Sequence, residues 1–207
     1  CLFLTLLSLG GCGKTTEPIS KTGFYFDTVI TITLYDASYE KELDHCFSMA
    51  KKYENLFSAQ KEGTDIWKIN HSQGQAVEVS DETIDILNAG IAYSKFDITV
   101  GKLSSLWDFS ESSSKEIPSV EAIQEALATI NYQNIVIDGN MVSLTDPNAA
   151  IDLGGIAKGY IADQMKAYLN QKGITSGYIN LGGNVLALGA KTDGSAYTIG
   201  IQRPFGE

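Results

Sequence analysis

Apolar residues recur at every third or fourth position in four separate parts of the chain, and each of these is read as a helix with one buried face. From Tyr39 to Phe57 the apolar positions are Leu43, Cys46-Phe47, Ala50, Tyr53 and Leu56-Phe57, with Lys and Glu between them. Ser80 has the character of an N-cap, with Asp81 and Glu82 in the first turn, and predicts a helix through Ile84, Leu87 and Ile91 that ends before Phe96. Ser119, just after Pro118, caps a third through Ile123, Leu127 and Ile130. Ala157, Ile161, Met165 and Tyr168-Leu169 form the fourth, up to Gly173. Strand patterns lie between them. Tyr25 to Tyr35 is β-prone and alternates Thr with Ile and Leu, so one face is expected to be buried. Ile135 to Leu144 reads as two short strands around Asp138-Gly139, a hairpin signal. Gly177 to Gly189 reads as a strand interrupted by Gly182-Gly183, which suggests a bulge or a close backbone approach to a ligand, and Tyr197 to Ile201 as a further strand. The fold class expected from this order is α/β in composition (α+β), with mixed, largely antiparallel sheets packed against helices.

Composition narrows the class. With 43% hydrophobic and 19% charged residues in 207, the chain matches a folded globular domain that can bury a core. A net charge of −10 argues against a nucleic-acid partner, which needs a basic face. Any anion must then be bound locally, by backbone amides and one or two lysines in a cleft.

The beginning of the chain has its own logic. Cys1 to Gly11 carries no charge and reads as the apolar centre of a partial lipoprotein signal peptide, too short to span a bilayer. Leu9-Gly10-Gly11-Cys12 resembles a bacterial lipobox, in which Cys12 is lipidated, and residues 12–23 read as a tether to a domain at 24–207. Membrane attachment through that anchor, facing the periplasmic or extracellular side, is the expectation. Gly10-Gly-Cys-Gly-Lys-Thr-Thr16 also resembles an ATP-binding P-loop, but Thr16 to Gly23 contains a proline and no helical period, which rejects it. Of three cysteines, Cys1 and Cys12 fall in the signal and Cys46 on a helix, so no disulfide framework is available.

The chemistry is concentrated in Ile151-Asp-Leu-Gly-Gly-Ile-Ala-Lys-Gly-Tyr160, which joins a strand to a helix. Glycine lets a backbone approach an anion closely, a helix start points its N–H groups at it, and Lys158 adds a compact positive charge one turn later. The residues suit a phosphate, and equally an ordinary glycine-rich corner with a surface lysine. Asp97 and Thr99 of the 95–107 segment share one face if that segment is extended, which places a carboxylate beside a hydroxyl.

Five stretches in register resemble the ApbE-type flavin transferases, the FAD:protein FMN transferases. They are Phe26-Asp27-Thr28-Val29-Ile30-Thr31-Ile32; Glu54-Asn-Leu-Phe-Ser58 with Ile69-Asn70; Phe96-Asp97-Ile-Thr-Val-Gly101 with Leu106-Trp107; Ile151 to Tyr160 with Asp163; and Asn180-Leu-Gly-Gly183 with Gly200-Ile-Gln-Arg-Pro204. The resemblance implies a lipid-anchored enzyme on the ApbE-like fold that moves FMN from FAD to a Thr or Ser of an acceptor protein, assisted by Mg2+. It implies cofactor contacts from Phe26, Gln60, Phe96, Asp97, Thr99, Asp152 and Lys158, and a metal contact from the Gly155 backbone carbonyl. The family's further metal ligands and a histidine-bearing segment follow the Gly-Ile-Gln-x-Pro strand, beyond Glu207. The 207 residues are therefore expected to hold flavin without turning it over. The competing readings are an FAD-binding or FAD-hydrolysing lipoprotein that modifies no protein, and a non-enzymatic lipoprotein on the same fold.

Overall fold

Two antiparallel sheets carry the fold in the computed structural model, which describes residues 17–93, 95–107, 116–201 and 203–204 of the 207. The first has the order β1-β2-β6-β7, from β1 (Ile19–Tyr25), β2 (Thr28–Leu34), β6 (Gly177–Leu181) and β7 (Asn184–Leu188). The second has the order β3-β5-β4, from β3 (Val77–Glu78), β4 (Ile135–Asp138) and β5 (Met141–Leu144). The helices are α1 (Glu40–Phe57), α2 (Asp65–His71), α3 (Asp81–Ala92), α4 (Gly101–Ser104), α5 (Val120–Leu127) and α6 (Ala157–Gln171). The α+β architecture with antiparallel sheets is the one the patterning predicts.

The alternation in β2 does what period two requires: Ile30, Ile32 and Leu34 are fully buried on one face. Ile179 and Leu181 of β6 continue that face across the ladder, with Ile32 opposite Ile179 and Ile30 opposite Leu181. Against it lie Leu43, Cys46, Phe47, Ala50, Tyr53 and Phe57 of α1 and Ile161, Ala162, Met165 and Leu169 of α6. Serine and threonine caps start the helices where the sequence places them: Ser80 Oγ accepts from Thr83 N–H at 3.2 Å and Ser119 Oγ from Ala122 N–H at 3.1 Å. Each such cap contributes about 1 kcal/mol. Thr64 caps α2 in the same way, a helix the periodicity did not reveal because it spans only 7 residues.

Three strand readings are corrected. Tyr25–Tyr35 is not one strand: Phe26 and Asp27 both have left-handed backbone (φ 56° and 55°), and the chain folds back between Tyr25 and Thr28 into a β1–β2 hairpin. Strand β1 begins at Ile19, so the folded unit takes in residues assigned to the tether. Gly182-Gly183 is likewise the two-residue turn of the β6–β7 hairpin, with φ of 61° and 91°, and not a bulge. Tyr197–Ile201 forms no strand; it packs by its aromatic ring, with Tyr197 6.2 Å from Tyr178, while Ile201 is 94% exposed. The signal segment and Cys12 lie outside the described residues.

Cys46 is fully buried in α1, and burial pushes its thiol up to about 12. Thiolate is the reactive form. Iodoacetamide followed by peptide mapping is therefore expected to leave Cys46 unmodified in the native protein at pH 8 and to alkylate it fully in denaturant. Native labelling of Cys46 at the denatured rate is the contrary outcome.

Candidate functional site

The segment Ala150–Leu153 is pinned from two sides before α6 begins. Asn70, on α2, closes a two-point clamp on fully buried Ile151: its Nδ2 donates to the Ile151 carbonyl at 2.9 Å and its Oδ1 accepts from the Ile151 N–H at 2.7 Å. On the other side Asp152 N–H donates to the Ile98 carbonyl and Gly101 N–H to the Ala150 carbonyl, each at 2.9 Å. The Asp152 carboxylate turns back into the loop, accepting from Gly154 N–H at 2.7 Å and from the Ser104 hydroxyl at 2.6 Å. The glycine turn is held in shape by its own aspartate. Helix α6 then opens at Ala157 with no side chain capping it, so the positive end of its dipole is presented to the space beyond the turn.

Two cavities flank this turn and share Gly154 and Lys158 as lining. The first has a volume of about 390 Å3. Its apolar wall is Phe26, Phe57, Ala59, Leu153 and Ala157; its polar groups include Asp27, Glu54, Gln60, Lys61, Asp152 and Lys158. The second, about 750 Å3, lies between the turn and α3, with Tyr93, Gly155, Tyr160, Asp163 and Asn184 among its lining residues. Lys158 forms no ion pair within the described residues, whereas Lys61 Nζ donates to Asn55 Oδ1 at 2.6 Å. Burial, with Tyr53, Asp85 and Glu82 adding to it, pushes the Tyr160 phenol up to about 12, so it is a neutral hydrogen-bond donor at physiological pH.

Of the residues named from the sequence, Phe26, Gln60, Asp152 and Lys158 come together around the first cavity. Gly155 lies on the second, with the Phe96 ring directly against it: a Cβ on Gly155 would sit 2.5 Å from Phe96 Cζ. Gly155→Ala is expected to force that ring away and lower stability by about 1–3 kcal/mol, read as a reduced urea midpoint; an unchanged midpoint contradicts the contact. Asp97 and Thr99 line neither cavity. Asp97 Oδ1 accepts from the N–H and hydroxyl of Thr99 (2.9 and 2.6 Å), Asp97 Oδ2 from Tyr132 N–H (3.0 Å), and fully buried Thr99 accepts through Oγ1 from Asn131 N–H (2.8 Å). The segment is a turn, so the condition of an extended backbone is not met, and these two side chains brace the loop before β4 instead of presenting a free carboxylate and hydroxyl. No three His, Cys, Asp or Glu side chains among the described residues converge on a metal-sized site, while Asp163 shares the second cavity's lining with Gly155.

Sequence reasoning gave no role to Asn70, Ser104, Glu54 or Lys61. Asn70 and Glu54 stand inside the stretches that carried the resemblance, which is the only signal that marked them.

Comparison with known proteins places the chain in one family. The model of the ApbE family matches residues 26–207. A FAD:protein FMN transferase of Klebsiella pneumoniae is 33% identical over 169 residues, covering 78% of this chain and 51% of that protein. One from Vibrio cholerae is 26% identical, covering 97% and 63%. The chain thus spans roughly half to two thirds of the length of these curated relatives. The ApbE protein of Thermotoga maritima superposes with a TM-score of 0.81 at 30% identity, over 91% of this chain and 64% of that one. The flavin transferase ApbE of Vibrio cholerae has a TM-score of 0.80 at 24% identity, covering 91% and 64%, a likeness of fold.

Proposed function

The chain belongs to the ApbE family, and from that premise we propose that it is an FAD:protein FMN transferase, moving FMN from FAD to a Thr or Ser hydroxyl of an acceptor protein with release of AMP. The observation that carries this reading is the convergence of Phe26, Gln60, Asp152 and Lys158, far apart in sequence, on one half-apolar cavity beside a glycine turn. A flat ring system suits the wall of Phe26, Phe57 and Leu153. A phosphate suits Lys158 and the uncapped start of α6. In the transfer the acceptor hydroxyl gives up its proton as its oxygen bonds to the FMN phosphorus, and the bond from that phosphorus to the bridging oxygen breaks, AMP leaving with the oxygen as its phosphate. Such a step depends on in-line positioning and on neutralising charge more than on a covalent nucleophile. Lys158 supplies positive charge at the phosphate, Asp152 keeps the turn in shape through Gly154 and Ser104, and Asp97 and Thr99 support the neighbouring segment that carries Phe96.

Magnesium has narrower support: the family resemblance and one carbonyl at Gly155, with oxygens of the substrate's phosphates as natural further donors. Lipid attachment at Cys12 and a location on the outer side of a membrane rest on the lipobox-like Leu9 to Cys12. No helix among the described residues is long and apolar enough to cross a membrane.

Intact-mass spectrometry of the full-length protein with FAD, Mg2+ and a candidate acceptor tests the reading, since the 207 residues alone are expected to bind flavin without transferring it. An acceptor heavier by one FMN is the expected result. Release of AMP and FMN with no adduct replaces transfer by FAD hydrolysis, and flavin fluorescence that never changes on titration removes both.

A further inference from the structure

The hairpin turn in the first cavity's wall has the wrong residues for a turn. A two-residue connection with positive φ at both positions favours Asn-Gly, because those residues tolerate left-handed backbone. This one is Phe26-Asp27, at φ 56° and 55°. Aspartate is tolerated there; a bulky aromatic residue is a clear outlier. Such conformations persist where the surroundings impose them, and they gather at functional sites. The imposing group is visible. The Phe26 N–H donates to Glu54 Oε1 at 2.8 Å, across 28 residues of sequence, from a turn of α1 that itself faces the cavity. Phe26, Asp27 and Glu54 all line that cavity together with Asp152 and Lys158. Phe26 also packs against the core, with its ring 6.4 Å from that of Tyr25.

Resting on the flavin reading above, we propose that Glu54 is a positioning residue for the flavin site: its carboxylate holds the left-handed Phe26–Asp27 turn in place, and so keeps the Phe26 ring in the cavity wall. The local sequence opposes this turn and the bond from α1 offsets that opposition. A hairpin built only for stability would carry Asn-Gly here and need no carboxylate. The turn residues therefore serve the cavity, and Glu54 is what lets them do so. The role is confined to geometry, since Glu54 is placed through its bond to a backbone amide and its effect reaches the ligand through Phe26.

Three variants of the intact chain separate this role from general stability, with FAD as the probe. Glu54→Ala is expected to weaken FAD binding about tenfold, the worth of one charge-assisted hydrogen bond, and to speed hydrogen exchange at the Phe26 amide. Glu54→Gln keeps an acceptor oxygen and is expected to recover most of both. The double variant Phe26→Asn, Asp27→Gly relaxes the turn, so it is expected to raise the thermal midpoint while lowering FAD affinity. Affinity in Glu54→Ala equal to that of the unaltered protein overturns the proposal, as does a double variant that binds FAD normally. Should Glu54→Ala fail to fold, the glutamine and double variants still decide. Should the unaltered protein bind no FAD, the flavin reading fails separately. The positioning claim then stands on exchange alone, and a Phe26 amide no better protected than in Glu54→Ala overturns it.

Discussion

Replacing Lys158 with alanine is expected to weaken FAD binding by about 10- to 100-fold and to leave the thermal midpoint unchanged or slightly raised. The first effect follows from the loss of a charge-assisted contact to phosphate, worth about 1.5–3 kcal/mol. The second follows from where the lysine stands. It lies in the first turn of α6, where the helix dipole disfavours a cation. It makes no ion pair within the described residues that could offset this. Alanine is also the stronger helix former. Nothing in the folding energetics asks for a lysine at this position, and both cavities beside the turn include it in their lining. Flavin fluorescence titration and a thermal melt measure the two quantities side by side. A lowered midpoint with unchanged affinity would mean that Lys158 is a structural residue and that the phosphate contact lies elsewhere.

The largest effect on stability is expected from Asn70→Ala. That change removes both partners of the Ile151 backbone, whose N–H and carbonyl lie at a residue with no exposed surface. A buried polar group left without a partner costs about 1–3 kcal/mol, so two cost about 2–6 kcal/mol, a large part of the stability of an ordinary domain. Denaturant unfolding reads the loss directly. Asn70→Asp keeps the acceptor for Ile151 N–H but sets a carboxylate oxygen against the buried Ile151 carbonyl, so it too is expected to lower the midpoint. If alanine and aspartate variants both unfold at the midpoint of the unaltered protein, the clamp contributes nothing.

How much of this was legible in the sequence depended on how far apart the interacting groups are. The α3 and α5 caps were legible because Ser80 and Ser119 bond to amides three residues on, within the window that patterning examines. The Asp138–Met141 hairpin was legible for the same reason, its glycine having positive φ. The hairpin at Phe26-Asp27 was not, since its residues carry no turn signal and the bond that stabilises it comes from α1. Asp97 and Thr99 bond to each other over two residues, but the amides of Asn131 and Tyr132 that complete the brace lie more than thirty residues away and left no local signal. Asn70 is 81 residues from Ile151, and no periodicity links them.

By itself the sequence determined the four longest helices, though not α2 or α4, together with the antiparallel character of the strands, the glycine turn with its aspartate and lysine, and the family. These depend on local caps, on period, and on motif residues in fixed order. The tertiary structure alone decided that β1 joins the sheet and that Gly182-Gly183 is a hairpin. It also decided which candidates face a shared cavity and which brace a loop. The physical reason is one of range. Burial and capping are set by neighbours along the chain, whereas a cavity wall is set by groups that meet only after folding, and a strained turn persists only because a distant carboxylate holds it.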